Sequence, residues 1–243
     1  MAMTPFSLDG QTALVTGANT GIGQAIAVAM GRAGAHVICA GRSSCDETVA
    51  MIEKAEALTL DFADPMAAKD VFAARRVDIL VNNAGIIRRD DIVDFSEADW
   101  DAVLDVNLKA AFFTCQAFAR AALPRGAGKI VNIASLLSFQ GGIRVPSYTA
   151  SKHGIAGLTK IMCNEWAAKG INVNAIAPGY IETNNTEALR ADPDRNKAIL
   201  DRIPAGRWGK ADDIAETAVF LSSPAANYIH GAVLNVDGGW LAR

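Results

Sequence analysis

The chain has 243 residues, a net charge of −3, 51% hydrophobic residues and 20% charged residues. This composition allows a sizeable core and excludes a disordered chain. The sequence has no run of Lys and Arg of the kind that binds nucleic acid. It also has no stretch near the roughly 18 uninterrupted apolar residues that a membrane span needs. We therefore expect neither nucleic acid nor membrane as a partner.

The cysteines and the first residues indicate the compartment. Cys39, Cys45, Cys115 and Cys163 show no CxxC spacing, and three of them lie in apolar stretches that suit buried free thiols. Residues 1–10 lack the basic start and long apolar segment of a secretory signal. We expect a cytoplasmic protein. We also expect no metal, because no His, Cys and Asp cluster has the spacing of metal ligands.

The first predicted unit is a strand, a glycine-rich turn and a helix. Residues 12–15 read as a short buried strand and residues 24–32 as a helix. Glycines in such a turn let the backbone approach a ligand, and the helix N-terminus offers free N–H groups to a phosphate. We expect phosphate binding by Gly17, Asn19, Thr20, Gly21, Ile22 and Gly23.

The end of the second predicted strand, residues 36–40, bears on the choice of cofactor. In a dinucleotide-binding fold an Asp or Glu near this point binds the 2′-OH of NAD, whereas an Arg accommodates the 2′-phosphate of NADP. This sequence has Gly41 and Arg42 there. The local chemistry favours NADP, or a pocket that tolerates both cofactors.

The next two predicted strands end in residues that could line the same cofactor. Residues 58–60 are followed by Asp61 and Phe62, which could cap the adenine, although Asp61 could equally begin a helix. Residues 77–81 are followed by NNAG at 82–85, where the adjacent asparagines can cross-bond neighbouring loops. The expected contacts in this motif are Asn83, Ala84 and Gly85.

A long amphipathic helix is predicted at residues 100–122. Asn107 lies inside it, and Asn is a mediocre helix former that tends to draw backbone groups away from the helix. We expect a kink there that could hold a water molecule.

The stretch 135–152 contains the residues best suited to proton transfer. Ser135 follows an apolar strand, and Tyr148 and Lys152 lie four residues apart in a helix predicted from Ser147 to about residue 169. A Tyr normally titrates near 10, and an ammonium group a few ångströms away lowers that pKa. The pair therefore predicts a proton-transfer group, with Ser135 placed to hydrogen-bond the same substrate oxygen. Taken alone, such a pair could equally be a surface pair on an amphipathic helix.

The last third contains a long irregular connection. Residues 171–176 read as a strand, residues 178–183 break regularity, and residues 184–201 are polar and partly helical. In a doubly wound fold a long connection at the carboxyl end of a strand lies over the ligand crevice. We therefore expect a lid at about residues 180–205.

Seven predicted strands alternating with helices define the fold class. After the irregular connection come a helix at 211–222 and a strand at 233–236. The pattern predicts an α/β protein with one Rossmann-like, doubly wound parallel sheet covered on both faces. No linker divides the chain, so we expect residues 1–243 to form a single domain.

In combination these motifs resemble the short-chain dehydrogenase/reductase family. The resemblance rests on TGANTGIG at 16–23, NNAG at 82–85, Asn107, Ser135, YTASK at 148–152 and the N-x-x-x-P-G pattern at 174–179. It covers essentially the whole chain and implies hydride transfer between NAD or NADP and a secondary alcohol or ketone. The cofactor contacts that it adds are Tyr148, Lys152, Pro178, Gly179, Ile181 and Thr183.

The resemblance also implies four catalytic roles. Tyr148 exchanges a proton with the substrate oxygen, and Ser135 stabilises developing charge on that oxygen. Lys152 lowers the pKa of Tyr148 and holds the nicotinamide ribose. Asn107 positions a water in a proton relay from Lys152 to solvent.

Four stretches resemble one subgroup of the family, namely residues 138–152, the pair at 184–185, residues 202–209 and the C-terminal DGGWLAR. That subgroup acts on keto-deoxy sugar acids of the 2-deoxy-D-gluconate and 2-dehydro-3-deoxy-D-gluconate type, and it mostly uses NAD. We therefore lean slightly toward NAD, with NADP activity beside it. The predicted substrate contacts are Arg88, Gln140, Arg144, Asn185, Arg207 and Trp208. Because a bidentate Arg suits a carboxylate, the candidates for that group are Arg88, Arg89, Arg144, Arg202 and Arg207.

Other functions remain open. A 3-oxoacyl carrier-protein reductase or a gluconate 5-dehydrogenase would share the same catalytic residues. A nucleotide-sensing protein without catalysis is the alternative from another class, although the intact set of Ser135, Tyr148 and Lys152 argues against it.

The sequence also predicts a homo-oligomer. Two helices carry more large apolar residues than one sheet face readily covers, and an exposed remainder marks an interface. The family resemblance pairs these helices across a two-fold axis, and we expect a tetramer. The residues concerned are Phe112, Phe113, Phe118, Ile161, Met162 and Trp166.

Overall fold

The computed structural model describes residues 4–243, so the first three positions of the predicted domain and N-terminal segment lie outside the described residues. Within that range seven strands form one parallel sheet in the order β3-β2-β1-β4-β5-β6-β7, which confirms the predicted α/β fold. The strands are β1 Thr12–Thr16, β2 His36–Gly41, β3 Ala55–Thr59, β4 Ile79–Asn82, β5 Gly128–Ile133, β6 Ile171–Pro178 and β7 Val233–Val236. The helices are α1 Gly21–Arg32, α2 Asp46–Val49, α3 Val71–Ala74, α4 Glu97–Leu104, α5 Ala110–Ala122, α6 Pro146–Trp166, α7 Glu187–Ala191, α8 Pro193–Leu200 and α9 Ala211–Ser222.

Two apolar cores lie on opposite faces of the sheet. Successive strand residues point to opposite faces, and β1 shows this directly: Val15 packs in the core with α1 and α9, whereas Leu14 packs in the core with α5 and α6. All three strand residues from Ala13 to Val15 are fully buried. A strand buried on both faces is typical of a parallel sheet covered by helices.

The sheet has its topological switch point at β1. This strand pairs with β2 on one side and with β4 on the other, so the connections after β1 and β4 diverge. In open α/β sheets ligands bind at such a point, outside the carboxyl ends of the strands. The glycine-rich turn at 16–23 and the NNAG segment at 82–85 both lie there.

Two element predictions differ from the structure. β3 occupies Ala55–Thr59 rather than 58–60, because it is an edge strand with half-exposed residues and lacks a continuous apolar run. The helix predicted at 100–122 begins at Glu97, where the Ser96 hydroxyl accepts the N–H of Asp99 at 3.1 Å. A π-helical turn over Asp105–Lys109 interrupts it and contains Asn107, at the position of the expected kink.

A hydrogen-bonded row of buried polar side chains crosses the centre of the molecule. Asn82 and Asn132 are register partners on β4 and β5, and the amide nitrogen of Asn82 donates to the amide oxygen of Asn132 at 3.0 Å. The amide nitrogen of Asn132 donates to the hydroxyl of Thr159 on α6, also at 3.0 Å. That hydroxyl donates to the carbonyl oxygen of Ile155 at 2.8 Å. The row therefore links two strands and a helix.

The four cysteines are free thiols: Cys39, Cys45 and Cys115 are buried, and Cys163 is half-buried. Within residues 4–243 no group of three or more His, Cys, Asp or Glu side chains is arranged to hold a metal ion. No helix in this range has both the length and the apolar character needed to cross a membrane.

Gly23 and Gly157 provide a matched pair of helical glycines. A Cβ atom at Gly23 would overlap the carbonyl oxygen of Gly17 and the amide nitrogen of Asn83, whereas a Cβ at Gly157 meets nothing within 4 Å. We predict that Gly23→Ala lowers the free energy of unfolding by about 1–3 kcal/mol, as expected for overpacking. Gly157→Ala should raise it by about 0.5–1 kcal/mol, because Ala favours a helix over Gly. Urea denaturation of both variants tests this, and equal stability of Gly23→Ala and wild type would contradict it.

Candidate active site

The turn after β1 and the segment after β4 are joined by hydrogen bonds. The Thr16 hydroxyl accepts the backbone N–H groups of Asn83 and Ala84, both at 2.9 Å. The side-chain amide of Asn83 donates to the carbonyl oxygens of Thr16 at 3.0 Å and Gly17 at 3.2 Å. This is the cross-bonding that the adjacent asparagines predict, and it fixes the two walls of the crevice relative to each other.

A cleft of about 240 Å³ lies between these walls and the start of the connection after β6. Its lining contains all of the glycine-turn and NNAG residues that the sequence proposes as cofactor contacts. Asn184 belongs to it without having been predicted, and Asn185, predicted as a substrate contact, lines it too. The lining residues are Gly17, Asn19, Thr20, Gly21, Ile22, Gly23, Asn83, Ala84, Gly85, Thr183, Asn184 and Asn185.

The cleft has the features that a dinucleotide phosphate requires. Helix α1 begins at its edge, and the N-cap residue Thr20 makes no side-chain cap bond within the described chain, so the first N–H groups stay available to an anion. Gly21 has φ +57°, and a Cβ there would lie 3.5 Å from the Thr183 methyl group. A side chain at that position would narrow the cleft. The residues present therefore fit the phosphates of a nicotinamide dinucleotide.

The predicted adenine contacts lie outside the residues that line this cleft, and their contact with adenine remains a prediction. Phe62 is 7% exposed and packs in the apolar core with Leu14 and Ile38, because an aromatic ring gains more from burial there than from solvent. Asp61 is exposed, and its carboxylate accepts the N–H of Ala63 at 3.0 Å, so it caps a turn and begins no helix. Arg42 lies exposed after β2.

The predicted cofactor residues after β6 fall into two groups. Thr183 lines the cleft, and Pro178 is buried as the last residue of β6. Gly179 and Ile181 line a separate cavity of about 140 Å³ near the end of β7. Cofactor binding by these four residues remains a prediction.

Three candidate catalytic side chains meet where β5 ends and α6 begins. Ser135 follows β5, and its hydroxyl accepts the N–H of Leu137 at 3.2 Å. Tyr148 and Lys152 lie one turn apart on α6, with the lysine Nζ 5.4 Å from the centroid of the tyrosine ring. The Nζ donates to the carbonyl oxygen of Ile133 at 2.6 Å. The lysine is thus held from the strand side beneath the tyrosine.

Burial dominates the acid–base properties of this pair. It raises the pKa of Tyr148, while a hydrogen bond with Ser135 and the positive charge of Arg89 lower it. Burial lowers the pKa of Lys152 to about 8. The two groups that lower the tyrosine pKa in this structure are therefore Ser135 and Arg89. The proposed effect of Lys152 on that pKa remains a prediction.

Asn107 ties the π-helical turn to the segment after β4. Its side-chain oxygen accepts the N–H of Ile86 at 2.8 Å, and its side-chain nitrogen donates to the Ile86 carbonyl at 2.9 Å and to the Ser151 hydroxyl at 3.4 Å. Ser151 in turn donates to the carbonyl oxygen of Tyr148 at 2.8 Å. Asn107 thereby connects the floor of the crevice to the helix of the candidate catalytic residues.

The three arginines predicted as substrate contacts all have carboxylate partners in the protein. Arg88 pairs with Asp99 at 3.1 Å. Arg207 pairs with Asp213 through two hydrogen bonds, of 2.7 and 2.9 Å. Arg144 pairs with Asp91 at 3.0 Å. Each guanidinium is thus paired within the protein, and substrate binding by these three arginines remains a prediction.

Arg144 joins two loops. Its side chain also reaches Asp90 at 3.6 Å, and its carbonyl oxygen accepts the N–H of Asp90 at 3.1 Å. Its φ is +63°, an uncommon value for a residue other than glycine. The loops after β4 and β5 are held together by this residue, which links the two sides of the site entrance.

Arg89 differs from the other candidates. No ion pair of Arg89 occurs within residues 4–243, and its guanidinium donates to the Asn185 carbonyl oxygen at 3.3 Å. It is also the arginine whose charge acts on Tyr148. Arg202 lies with its guanidinium carbon 4.0 Å from the ring centroid of Trp240. Sequence alone gave no signal that separates Arg89 from the other arginines, because the distinction lies in their partners.

Trp208 and Gln140 both participate in protein contacts. Trp208 is 6% exposed and donates its indole N–H to the side-chain oxygen of Asn196 on α8 at 2.7 Å. It therefore packs beneath the connection after β6. The side-chain oxygen of Gln140 accepts the indole N–H of Trp240 at 3.3 Å. The NH₂ group of Gln140 takes no part in that hydrogen bond.

The comparisons with known proteins agree with this geometry. A family model described as enoyl-(acyl carrier protein) reductase, one of the models of short-chain dehydrogenases, matches residues 17–241. The 2-dehydro-3-deoxy-D-gluconate 5-dehydrogenase of Bacillus subtilis is 58% identical over 247 residues, which cover 98% of this chain and 97% of that protein. The chain belongs to the short-chain dehydrogenase/reductase family.

Two solved structures are similar over nearly the whole chain. One, from Agrobacterium tumefaciens with bound NADP, is of a protein proposed to be a 2-deoxy-D-gluconate 3-dehydrogenase; it is 73% identical, has a TM-score of 0.97 and aligns over 99% of this chain and 100% of that one. The other is the gluconate 5-dehydrogenase of Burkholderia cenocepacia with NADP and tartrate, with 38% identity, a TM-score of 0.93 and full coverage of both chains. Both hold NADP, so the lean toward NAD is not supported.

The lowered pKa of Lys152 predicts a pH-dependent stability. The unfolded chain binds this proton up to about pH 10.5, whereas the folded protein releases it near pH 8, so burial of the charge destabilises the fold below pH 8. We predict that wild type gains up to about 3 kcal/mol relative to Lys152→Met between pH 8 and pH 10.5, since one pKa unit corresponds to about 1.4 kcal/mol. Chemical denaturation of both proteins across this range gives the difference.

Lys129→Met is the control for that measurement. Burial also lowers the pKa of Lys129 to about 8, but this residue lies on β5 and hydrogen-bonds Asn227 at 2.7 Å, away from the cleft. Its removal should change stability with pH in the same direction and leave turnover intact. A stability difference for Lys152→Met that stays flat from pH 8 to 10.5 would contradict the prediction.

Proposed function

We propose that this protein transfers a hydride between NADP or NAD and a secondary alcohol or ketone of a keto-deoxy sugar acid. The substrate class is that of 2-dehydro-3-deoxy-D-gluconate and 2-deoxy-D-gluconate, which stand in the names of the B. subtilis relative and the A. tumefaciens neighbour. The observation that carries the proposal is the position of Arg89, a cation that acts on Tyr148 and forms no ion pair within the described chain. A substrate carboxylate would complete its partners.

The protein side chains supply proton transfer and placement. When bound, the nicotinamide accepts the hydride from the alcohol carbon or returns it to the carbonyl carbon. In oxidation Tyr148 takes the proton of the substrate hydroxyl as the C–H bond of the alcohol carbon breaks. In reduction Tyr148 gives a proton to the carbonyl oxygen. Ser135 donates a hydrogen bond to the same oxygen and stabilises the charge that develops there.

Lys152 and Asn107 support that step. Lys152 favours the phenolate of Tyr148 by its positive charge and holds the nicotinamide ribose. We propose that a proton reaches solvent from Lys152 through a water beside Asn107, whose π-helical turn departs from regular helix pairing. The side-chain amide of Asn107 fixes this turn against Ile86.

Arg89 gives the site a preference for acids. A guanidinium can bind a carboxylate through two parallel hydrogen bonds. Arg89 lies on the segment after β4 and donates to the carbonyl oxygen of Asn185, near the start of the connection after β6. It therefore bridges the mouth of the cleft. The tartrate in the B. cenocepacia structure is itself a hydroxy acid and supports a substrate of this kind.

The connection at about 180–205 is proposed to close over the substrate as a lid. It contains α7 and α8, and its first residues line the cleft. A capping box at Thr183 and Thr186 and the Arg89 hydrogen bond to Asn185 order its beginning. A closed lid would exclude water from the hydride-transfer step.

We propose that NADP is used at least as well as NAD. No carboxylate stands directly after β2 to repel a 2′-phosphate, and Arg42 is exposed at that point. The bound NADP of the A. tumefaciens neighbour supports this choice. Arg42 could instead stack on the adenine, which would help both cofactors equally.

A homotetramer in the cytoplasm remains our proposal for assembly and location. Ile161 is 49% exposed and Trp100 is 38% exposed on the helices expected to pair. Phe118 and Met162 are buried in the core of the single chain, so the apolar remainder is smaller than the sequence suggested. The free cysteines support a reducing compartment.

Turnover of sugar acids tests the proposed function. We expect NADP- or NAD-linked activity with 2-dehydro-3-deoxy-D-gluconate or 2-deoxy-D-gluconate in a spectrophotometric screen that includes gluconate and a 3-oxoacyl carrier-protein substrate. Tyr148→Phe, which removes only the titrating oxygen, should abolish turnover and still bind cofactor. Activity of this variant within about tenfold of wild type, roughly 1.4 kcal/mol in barrier, would refute the role of Tyr148. Preference for the carrier-protein substrate would refute the substrate class.

Arg89 and its neighbour Arg88 separate substrate binding from surface charge. We predict that Arg89→Ala raises KM for the sugar acid about 10- to 100-fold, because a hydrogen bond to a charged group contributes about 1.5–3 kcal/mol. It should also shift the pH profile of kcat/KM, which reports the free enzyme, toward higher pH, because the charge of Arg89 lowers the pKa of Tyr148. Arg88→Ala removes only the surface pair with Asp99 and should change KM less than threefold. Equal effects of the two substitutions would contradict the assignment.

Arg42 can be tested by cofactor preference. We predict that Arg42→Ala lowers kcat/KM for NADP about 10- to 100-fold and leaves kcat/KM for NAD within about twofold, because a charge-assisted contact contributes about 1.5–3 kcal/mol. Steady-state kinetics with both cofactors gives the ratio. An equal loss with NAD and NADP would mean that Arg42 stacks on the adenine.

A further inference from the structure

The C-terminal segment enters a third apolar cluster, separate from the two cores of the sheet. After β7 the chain turns at Gly238 and Gly239, which have φ values of +66° and +89°. The Asp237 carboxylate accepts the N–H groups of Gly239 at 2.8 Å and Leu241 at 3.0 Å. This turn directs Trp240 inward, where it is 4% exposed.

Trp240 lies between the connection after β6 and the turn that Ser135 begins. Its ring centroid is 4.7 Å from that of Tyr180, and the guanidinium of Arg202 lies over it. Leu136, which follows Ser135 directly, belongs to the same apolar cluster. Trp240 therefore contacts both the predicted lid and the segment that follows Ser135.

The indole N–H of Trp240 donates to the side-chain oxygen of Gln140 at 3.3 Å. An indole nitrogen can only donate, so it pairs with the amide oxygen and not with the amide nitrogen. The side-chain orientation of Gln140 is thereby determined: its oxygen is occupied, and its NH₂ group, with two donors, is directed away from Trp240.

Gln140 is held close to Ser135 by the backbone. The Ser135 hydroxyl caps the short 3-10 turn Leu136–Ser138, and the N–H of Gln140 returns to the carbonyl oxygen of Leu136 at 3.2 Å. The side chain of Gln140 is half-buried. Gln140 therefore lies one short turn along the chain from Ser135.

We propose that Trp240 is a positioning residue that fixes the amide of Gln140 so that its NH₂ group donates to an oxygen of the substrate. The site then gains a neutral donor whose orientation the C-terminus of the chain sets. A flipped amide would present its oxygen, which accepts from a hydroxyl but repels a carbonyl or carboxylate oxygen, so Trp240 favours an acceptor oxygen of the substrate at this point. This inference rests on the proposed function, because it deepens the recognition of the sugar acid.

A double-mutant cycle tests the coupling between the two residues. Trp240→Phe keeps an aromatic ring beside Tyr180 and Arg202 but removes the indole N–H, and Gln140→Met keeps the size of the side chain but removes the amide. We expect each single change to raise KM for the sugar acid about three- to tenfold with kcat and NADP affinity within about twofold of wild type. Because both act through one amide, the double variant should have the KM of Gln140→Met. Multiplied effects, or a wild-type KM for Trp240→Phe, would overturn the inference.

Trp100→Phe is the matched control. Trp100 lies on α4, is 38% exposed and takes no part in the C-terminal cluster. The same substitution there should leave KM, kcat and NADP affinity unchanged. A rise in KM equal to that of Trp240→Phe would show a general effect of losing a tryptophan and would overturn the inference.

The indole N–H resonances provide a readout that needs no substrate. In ¹⁵N-labelled protein the signal of Trp240 is identified by its loss in Trp240→Phe, and we expect it to shift in Gln140→Met. An unshifted signal would overturn the hydrogen bond and the inference with it. If wild type turns over no sugar acid, the proposed function fails and the substrate contact of Gln140 fails too, while the resonance still decides whether Trp240 orients Gln140.

Discussion

The hydrogen bonds between the ends of β1 and β4 are the constraint on which the site depends. The side chain of Thr16 bonds the backbone of Asn83, and the side chain of Asn83 bonds the backbone of Thr16. The glycine turn and the crevice floor therefore form one unit. Gly23 must lack a side chain because a Cβ would overlap the Gly17 carbonyl oxygen and the Asn83 side-chain amide, which also bond each other. Helix α1 is therefore directed at the cleft by backbone geometry, and its phosphate-binding end does not rely on a flexible loop.

Burial separates the pKa values of the two titrating groups of the site, which are normally close to each other. The pKa of Tyr148 is raised and the pKa of Lys152 is lowered to about 8, so the tyrosine holds its proton more tightly than the lysine does. At neutral pH the unliganded site then holds both protons. The hydrogen bond of Ser135 and the charge of Arg89 favour the phenolate, and a substrate carboxylate on Arg89 would reduce that effect. If Arg89 binds the substrate as proposed, this arginine couples substrate binding to acid–base chemistry.

The sequence predicted features that depend on local pattern. The alternation of apolar strands and helices identified the sheet, and the bounds of α9 and β7 agree with expectation because each has a clear period and clear ends. The predicted position of the edge strand β3 was wrong because none of its residues is fully buried, so its sequence has no continuous apolar run. The sequence could not predict which side chains each arginine pairs with, or the path of the C-terminal segment. Both depend on residues that are distant in the chain. Arg89 and Trp240 are distinguished only by what folding brings beside them.

The buried row of Asn82, Asn132 and Thr159 has a consequence for folding. If β4 slipped by one residue along β5, the two amides would no longer face each other, and the Asn132 side-chain oxygen would lose the donor that it has in Asn82. An unpaired buried polar group costs about 1–3 kcal/mol, whereas a slip among purely apolar residues would cost less. The row therefore discriminates against misaligned strands at the centre of the sheet, where an error would move the residues after β4 and β5 out of register with the helix α6.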